Sequence, residues 1–345
     1  MKNEVVNNSM NKKVQGLLGV ASKMAMFNAA FDGYPKEMGD GTIFASDKAF
    51  KFAMKKKWEE EGKKVLYIKS MCIKEVTEQI DDNDKKKGKI TRKKRVPRNL
   101  TERYEYLYDM EPGSLERYKD VEPILRNLYK AADVIQFGAT FAVAKLNTGI
   151  TGAVQFGQGI NLYKESSEVV QDILSPFRAD KETVDKEGNT EKKTKENSTI
   201  GTKILSDEAH YMYPFTINPL AYMNDVKDGF TEGYTEEDYA EFKRTALSAV
   251  TAYNSNSKKG CENEFGLFIE IDEDTILPDF ISPYVAFKKG SEEEKDIIEL
   301  KIADYLKKVG DHIQKIEVYY NPFTTKVDGI PDGAEVYDIR TMQRI

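Results

Sequence analysis

The sequence predicts an α+β fold: a modified RRM/ferredoxin-like (βαββαβ) core carrying a helical insertion and a protruding β-hairpin. Three observations predict it. An apolar run opens the chain (VQGLLGVASKMAMFNAA, residues 14–30), and an amphipathic helix follows it. After a long extended region, a second helix (236–253) and strand (265–271) complete the order.

Residues 14–30 are apolar with light alternation, as in a long buried strand. Lys23 and Asn28 interrupt it, and a polar residue there needs a partner or a ligand. The stretch FDGYPKEMGDG is a turn region rich in Gly, Asp and Pro. Ser46 and Asp47 then open a helix, SDKAFKFAMKKKWEEEG, that Gly62 ends. Ala49, Phe50, Ala53, Met54 and Trp58 share one face of it, and Lys48, Lys51 and Lys55 share another. VLYIKSM, residues 65–71, reads as the next strand.

Residues 72–130 read as an insertion rather than a second core. They hold the run DKKKGKITRKKRVPR, with nine Lys or Arg, beside acidic EQIDDND, and two short helical patterns at 100–108 and 121–129. DVIQFGATFAVAKLNTGITGAVQFGQGINLYK follows, in a mostly extended region. Residues 180–197 are charged and nearly devoid of apolar side chains, between the strand-like pieces VVQDILSPF and STIGTKIL, which predicts a hairpin with a charged tip. HYMYPFTINPL is a further strand, residues 292–309 an amphipathic helix, and IEVYY a last strand. RNA-recognition modules use the same βαββαβ order and present a sheet face to single-stranded bases.

The composition narrows the function. Forty per cent hydrophobic residues support a sizeable core, and a net charge of −6 argues against a uniformly basic nucleic-acid binder while leaving room for a basic groove. Cys72 and Cys261 stand far apart with no metal-ligand spacing, as expected of a reducing cytoplasm. The start MKNEVVNNSMNKK lacks the apolar core of a signal peptide, and no apolar run reaches membrane-spanning length. A soluble cytoplasmic protein with no membrane partner is the expectation. The only histidines, His210 and His312, sit in no zinc-binding spacing and read as structural. No GxxxxGK[ST], GxGxxG or GxSxG motif is present. No catalytic residue, metal or cofactor is expected.

Three stretches go beyond composition: FDGYPKEMGDGTIFASDKAFK, DVIQFGATFA and ITGAVQFGQGINL, in that order. Together, over about residues 14–271, the chain resembles the backbone subunit of Cascade, the type I CRISPR interference complex. The similarity is to the type I-B (Csh-like) branch of the Cas-seven family. The resemblance implies a hand-shaped, non-catalytic subunit that polymerises along the spacer of a crRNA and leaves its bases free to pair with target DNA. It divides the chain into palm (1–71), finger insertion (72–130), palm or web (131–170), thumb hairpin (171–207) and a second palm part (208–345) with a C-terminal helix and strand. The implied partners are crRNA, target DNA, neighbouring copies of the chain, and the other Cascade subunits: the guide-processing endonuclease, the five-prime-end cap subunit, and the large and small subunits.

Under that resemblance Lys48, Lys51 and Lys55 would form a row of phosphate contacts, where the bland alternative is a solvated helix face. Lys23 and Asn28 would face RNA from the palm, or else mark the exposed end of a strand. Gln155 and Gln158 would donate to phosphate or ribose oxygens from a glycine-rich strand. At the thumb, Ser198, Thr199 and Lys203 would hold phosphate, and Phe177 or Ile200 would wedge against a kinked base; hairpin packing is the alternative. Arg92, Lys93, Lys94 and Arg95 would draw in target DNA, or else form a charged loop. No RNA-recognition stacking motif is present, which favours backbone-led, sequence-neutral binding. Two other readings stay open: a type III-like subunit cleaving target RNA with Asp32, and an oligomeric RNA-binding protein outside CRISPR.

Overall fold

The apolar opening run becomes the strand Lys12–Ala25, near the middle of a ten-stranded sheet. The computed structural model describes residues 9–80, 88–143, 146–174, 180–184, 190–194, 199–278 and 284–345. This central strand pairs antiparallel with Thr199–Ile217 on one side and Cys261–Asp272 on the other. It needs a glycine at position 16. A Cβ there would lie 1.8 Å from the Leu267 carbonyl oxygen and 2.9 Å from the Phe215 ring. The strand ends earlier than the apolar run predicts: Met24 turns to φ 48°, and the Met26 N–H leaves the ladder for the Ser257 carbonyl.

Both faces of the central strand are covered, which is why its sequence reads as almost continuously apolar. On one face, Val14, Leu18 and Val20 join Phe50, Met54 and Trp58 of the helix Asp47–Glu60, and Phe242 of the helix Glu236–Ala246. Trp58 is fully buried between these helices and donates its indole N–H to Glu241 (2.8 Å) and Thr245 (3.0 Å). Tyr104, Ile124 and Leu128 of the predicted insertion belong to this same cluster. On the other face, Leu17, Leu267 and Ile269 pack with Ile298, Leu300 and Val327 of a three-stranded sheet, Val285–Lys288, Asp296–Leu300 and Thr325–Asp328. The result is the expected α+β class.

Several elements depart from the sequence expectation. Of the strand expected at 65–71, residues 65–70 are not strand: Val65, Leu66 and Ile68 are buried, but the Leu66 and Tyr67 N–H groups donate to the Asp133 carboxylate instead of a ladder. The helix expected at 292–309 is replaced by the strand Asp296–Leu300 and a short helix, Ala303–Lys308. Asp296, Ile298 and Leu300 are buried at strict period two, which is strand spacing. The helix expected at 236–253 stops at Ala246 and resumes only as Ala249–Ala252. The two strand candidates after residue 198 are one strand, Thr199–Ile217, whose first half pairs with Glu168–Leu174. DVIQF is the helix Ala132–Phe137. The charged segment holds a backbone pairing of Asp180–Val184 with Thr190–Thr194.

From Gly88 onward the basic run is not a loop, and its residues 84–87 lie outside the described residues. It forms the strand Gly88–Pro97, paired antiparallel with Met71–Ile80 as an isolated two-stranded ribbon. Among the described residues no helix is long and apolar enough to cross a membrane.

Candidate nucleic-acid interface

An open cleft of about 720 Å³ lies between the N-terminal end of the helix Asp47–Glu60 and the turn that follows the central strand. Lys36, Lys48 and Lys258 line it, with Asn28, Gln158 and Phe27. The charge there is positive. Its one carboxylate, Asp47, is already matched by Lys51 at 3.0 Å, and Lys36 and Lys48 make no ion pair among the described residues. Lys258 donates to the backbone oxygens of Met26 (2.8 Å) and Phe27 (2.5 Å), fixing the cleft wall. Burial pushes its ammonium below the ordinary lysine value. Asn28 accepts from both the N–H (2.8 Å) and the hydroxyl (2.9 Å) of Ser46, so it ties the same wall to the helix start.

The lysine row predicted on the helix does not form one surface. Lys48 is exposed in the cleft. Lys51 turns back to Asp47 and lies 5.2 Å from the centre of the Phe137 ring. Lys55 lies 3.7 Å from the wholly buried Asp133 carboxylate and 3.4 Å from the Tyr67 carbonyl. Burial, only partly offset by Asp133, holds Lys55 below its ordinary value. The apolar side of the helix continues around to these aromatic neighbours, which helical spacing alone does not reveal.

Lys23 lies away from the cleft, in a network with Glu208 (2.9 Å), Asp296 (3.3 Å) and Lys289. His210 joins it, with Nε2 3.0 Å from Glu208 and Nδ1 2.8 Å from Glu264, while Phe287 stacks on the ring at 3.7 Å between centroids. Burial works against charge on these groups. The neighbouring carboxylates nonetheless raise Lys23 and His210, and Lys289, Lys23 and His210 hold Glu208 down at about 2. Glu208, His210 and Asp296 are the one group among the described residues whose ligand atoms lie within 4.8 Å of one another. Two ammonium groups already neutralise its carboxylates, so the arrangement is that of an ion-pair network.

Gln158 shares the cleft with Lys48 and Asn28. Gln155 is exposed and donates to the Gly152 carbonyl at 2.8 Å. Lys203 is half-buried on the long strand, opposite Gln171. Ser198 and Phe177 lie outside the described residues, and Thr199 and Ile200 are described as strand backbone only.

The basic ribbon separates its charges by face. Lys94 pairs with Glu78 and its cross-strand neighbour Lys74 with Glu102. Lys93 and Arg95 lie on the opposite, exposed face, across from Glu75 and Ile73, while Arg92, also exposed, alternates onto the face of Lys94. Asp32 is exposed and accepts the Tyr34 N–H at 3.1 Å.

Lys36 and Lys258 are the cleft lysines that sequence reasoning missed. Lys36 stands inside the motif FDGYPKEMGDG and Lys258 in a Ser/Lys/Gly turn, and neither belongs to a periodic pattern.

Comparison with known proteins matches the model of the family "CRISPR-associated protein Cas7" to residues 12–307. No curated protein matches. A solved chain described as "CRISPR RNA-guided surveillance complex, pre-nicking" aligns at 14% identity and a TM-score of 0.46, covering 96% of this chain and 98% of that chain. With the family matched across most of its length, the chain belongs to the CRISPR-associated Cas7 family.

Proposed function

We propose that this chain is the non-catalytic, crRNA-binding backbone subunit of a type I CRISPR interference complex, of the I-B type, acting in the cytoplasm. The observation that carries this reading is the basic cleft lined by Lys36, Lys48 and Lys258, in which Lys36 and Lys48 make no ion pair among the described residues, on a chain of the Cas7 family. Point-charge lysines with amide side chains such as Gln158 suit phosphate and ribose, and read no base.

The sheet order supports the palm assignment. Cys261–Asp272, Lys12–Ala25, Thr199–Ile217 and Gly159–Asn161 lie side by side and antiparallel, with Asp47–Glu60 and Glu236–Ala246 packed into the same core cluster. That is the neighbour order a βαββαβ chain requires. The ribbon of Glu168–Leu174 and the first half of Thr199–Ile217 fits the thumb, and the exposed face of the basic ribbon fits a contact with target DNA. Copies of the chain would then line up along the guide beside the other Cascade subunits. The engagement of Asp32 with its own turn gives its carboxylate a structural task, which supports a non-catalytic subunit.

The test is to purify the chain from cells expressing a CRISPR array and sequence its bound RNA. Spacer-containing guides are expected. Random cellular RNA recovered in the presence of guides overturns the proposal.

A further inference from the structure

The turn between the central strand and the first helix carries a phenylalanine at its tip, Phe31, whose side chain is entirely exposed, at 113% of its reference area. Covering an aromatic ring that stands wholly in water is favourable, so a solvated phenylalanine on a closed turn gains binding energy from a flat ligand laid against it. The turn is closed by a bridge between Ala29 and Pro35, by the Ala30 N–H on the Tyr34 carbonyl (2.7 Å), and by the Gly33 N–H on the Ala30 carbonyl (3.2 Å). Asp32 adds the bond to the Tyr34 N–H, and Gly33 sits at φ +91°, where a side chain would strain the backbone.

Both feet of the turn stand in the basic cleft. Asn28 precedes it, Lys36 follows it, and both line the cavity with Lys48 and Lys258. An exposed aromatic ring on a closed turn, next to a cleft whose Lys36 and Lys48 make no ion pair among the described residues, matches the two halves of a nucleotide, the flat base and the anionic phosphate. It matches a protein partner less well, because that partner would have to offer an apolar pocket and an acidic strip at the same spacing.

We propose that Phe31 is a base-stacking residue: it stacks on one nucleobase of a single-stranded RNA whose phosphates are held by Lys36 and Lys48. This rests on the RNA-binding reading above and adds to it a contact that senses the base plane and not the charge. The turn motif FDGYPK thereby has a purpose for each member. Asp32, Gly33, the Tyr34 backbone and Pro35 shape the turn, Lys36 holds phosphate, and Phe31 meets the base.

The experiment uses the full chain and two probes, a fluorescent oligoadenylate and an abasic ribose-phosphate oligomer of equal length. Phe31→Ala is expected to weaken oligoadenylate binding about tenfold or more, in the range of a lost base–aromatic stack. Its affinity for the abasic oligomer and its salt slope should stay as in the parent chain. Phe31→Trp is expected to keep the affinity and to show indole fluorescence quenched by oligoadenylate but not by the abasic strand. The only native tryptophan, Trp58, is buried and serves as an internal reference. Unchanged oligoadenylate binding by Phe31→Ala, or no quenching of Phe31→Trp, overturns the proposal. So does a loss confined to self-association in sedimentation, which would make Phe31 a contact between copies. If the parent chain binds neither probe, the RNA-binding reading falls, and this one with it.

Discussion

Lys55 and Asp133 face each other at 3.7 Å across the junction of the first helix and the buried segment after it, and the Asp133 side chain is wholly enclosed. The same carboxylate accepts the N–H groups of Leu66 (2.7 Å) and Tyr67 (2.8 Å). One acid therefore takes the place of the strand ladder that residues 65–70 lack. Asp133→Ala would strand two backbone donors and a mostly buried ammonium, and is expected to cost about 3–5 kcal/mol of stability. Urea unfolding monitored by Trp58 fluorescence checks it. A loss below about 1 kcal/mol would show that the segment is held by its apolar side chains alone.

Lys36 and Lys48 are expected to bind RNA through charge, and Lys51 and Lys55 are not. Each phosphate contact removed from a single-stranded ligand lowers the slope of log affinity against log salt by about 0.7. The Lys36→Ala, Lys48→Ala double variant should therefore flatten the slope by about 1.4. Lys51→Ala should leave it unchanged. Fluorescence anisotropy over a salt series separates the two, and equal slopes for both variants would disprove the assignment.

On the basic ribbon the expectation divides by face. Lys93→Ala with Arg95→Ala should weaken binding of duplex DNA by the guide-loaded assembly, steeply with salt. Lys94→Ala should have a smaller effect, because Glu78 already neutralises that lysine. The amount of co-purified guide RNA should not change in either. Loss of guide from the Lys93/Arg95 variant would place the RNA grip on the ribbon instead of in the cleft.

His210 makes stability depend on pH. The neighbouring Glu264 and Glu208 outweigh the opposing effect of burial and raise the ring above its ordinary value. The folded chain thus holds this proton more tightly than the unfolded chain, whose histidines titrate near about 6.5. Its contribution is complete below that value and is lost as pH rises through the raised folded value. Urea midpoints from about pH 6 to about pH 9 should fall for the parent chain and change less for His210→Gln. Parallel profiles would mean that the ring is neutral between its two carboxylates. Glu208 acts at the other end of the scale: held at about 2, its contribution is present above the ordinary glutamate range and is lost as pH falls toward 2.

Local pattern carried much of this fold into view. The apolar strand, the first helix with its Phe50, Ala53, Met54 and Trp58 face and its Ser46, Asp47 and Gly62 end signals, and the helix Leu100–Leu107 all follow from local pattern. What local pattern missed was decided at long range. Residues 65–71 look like a strand because they are apolar, yet their hydrogen bonds go to an aspartate more than sixty residues away. Residues 292–309 carry enough charge to imitate one amphipathic helix, and only pairing with Val285–Lys288 and Thr325–Asp328 makes Asp296–Leu300 a strand and leaves the helix to Ala303–Lys308. The cleft was half legible. Asn28, Lys48 and Gln158 stood out in the sequence, whereas Lys36 and Lys258 arrive from two unrelated turns. Lys51 and Lys55 stood out as well, and their aromatic and acidic neighbours draw them inward.

The strand Thr199–Ile217 changes partners without a break. At Ser206 it faces Ala25 of the central strand on one side and Glu168 of the outer ribbon on the other. A pull on the ribbon therefore travels along one continuous backbone into the middle of the sheet. There it loads the bonds from Ala25 back to Val14 in shear, all together, where a peeling force would break them one at a time. With no joint at the changeover, tension applied to the ribbon is a force on the core itself.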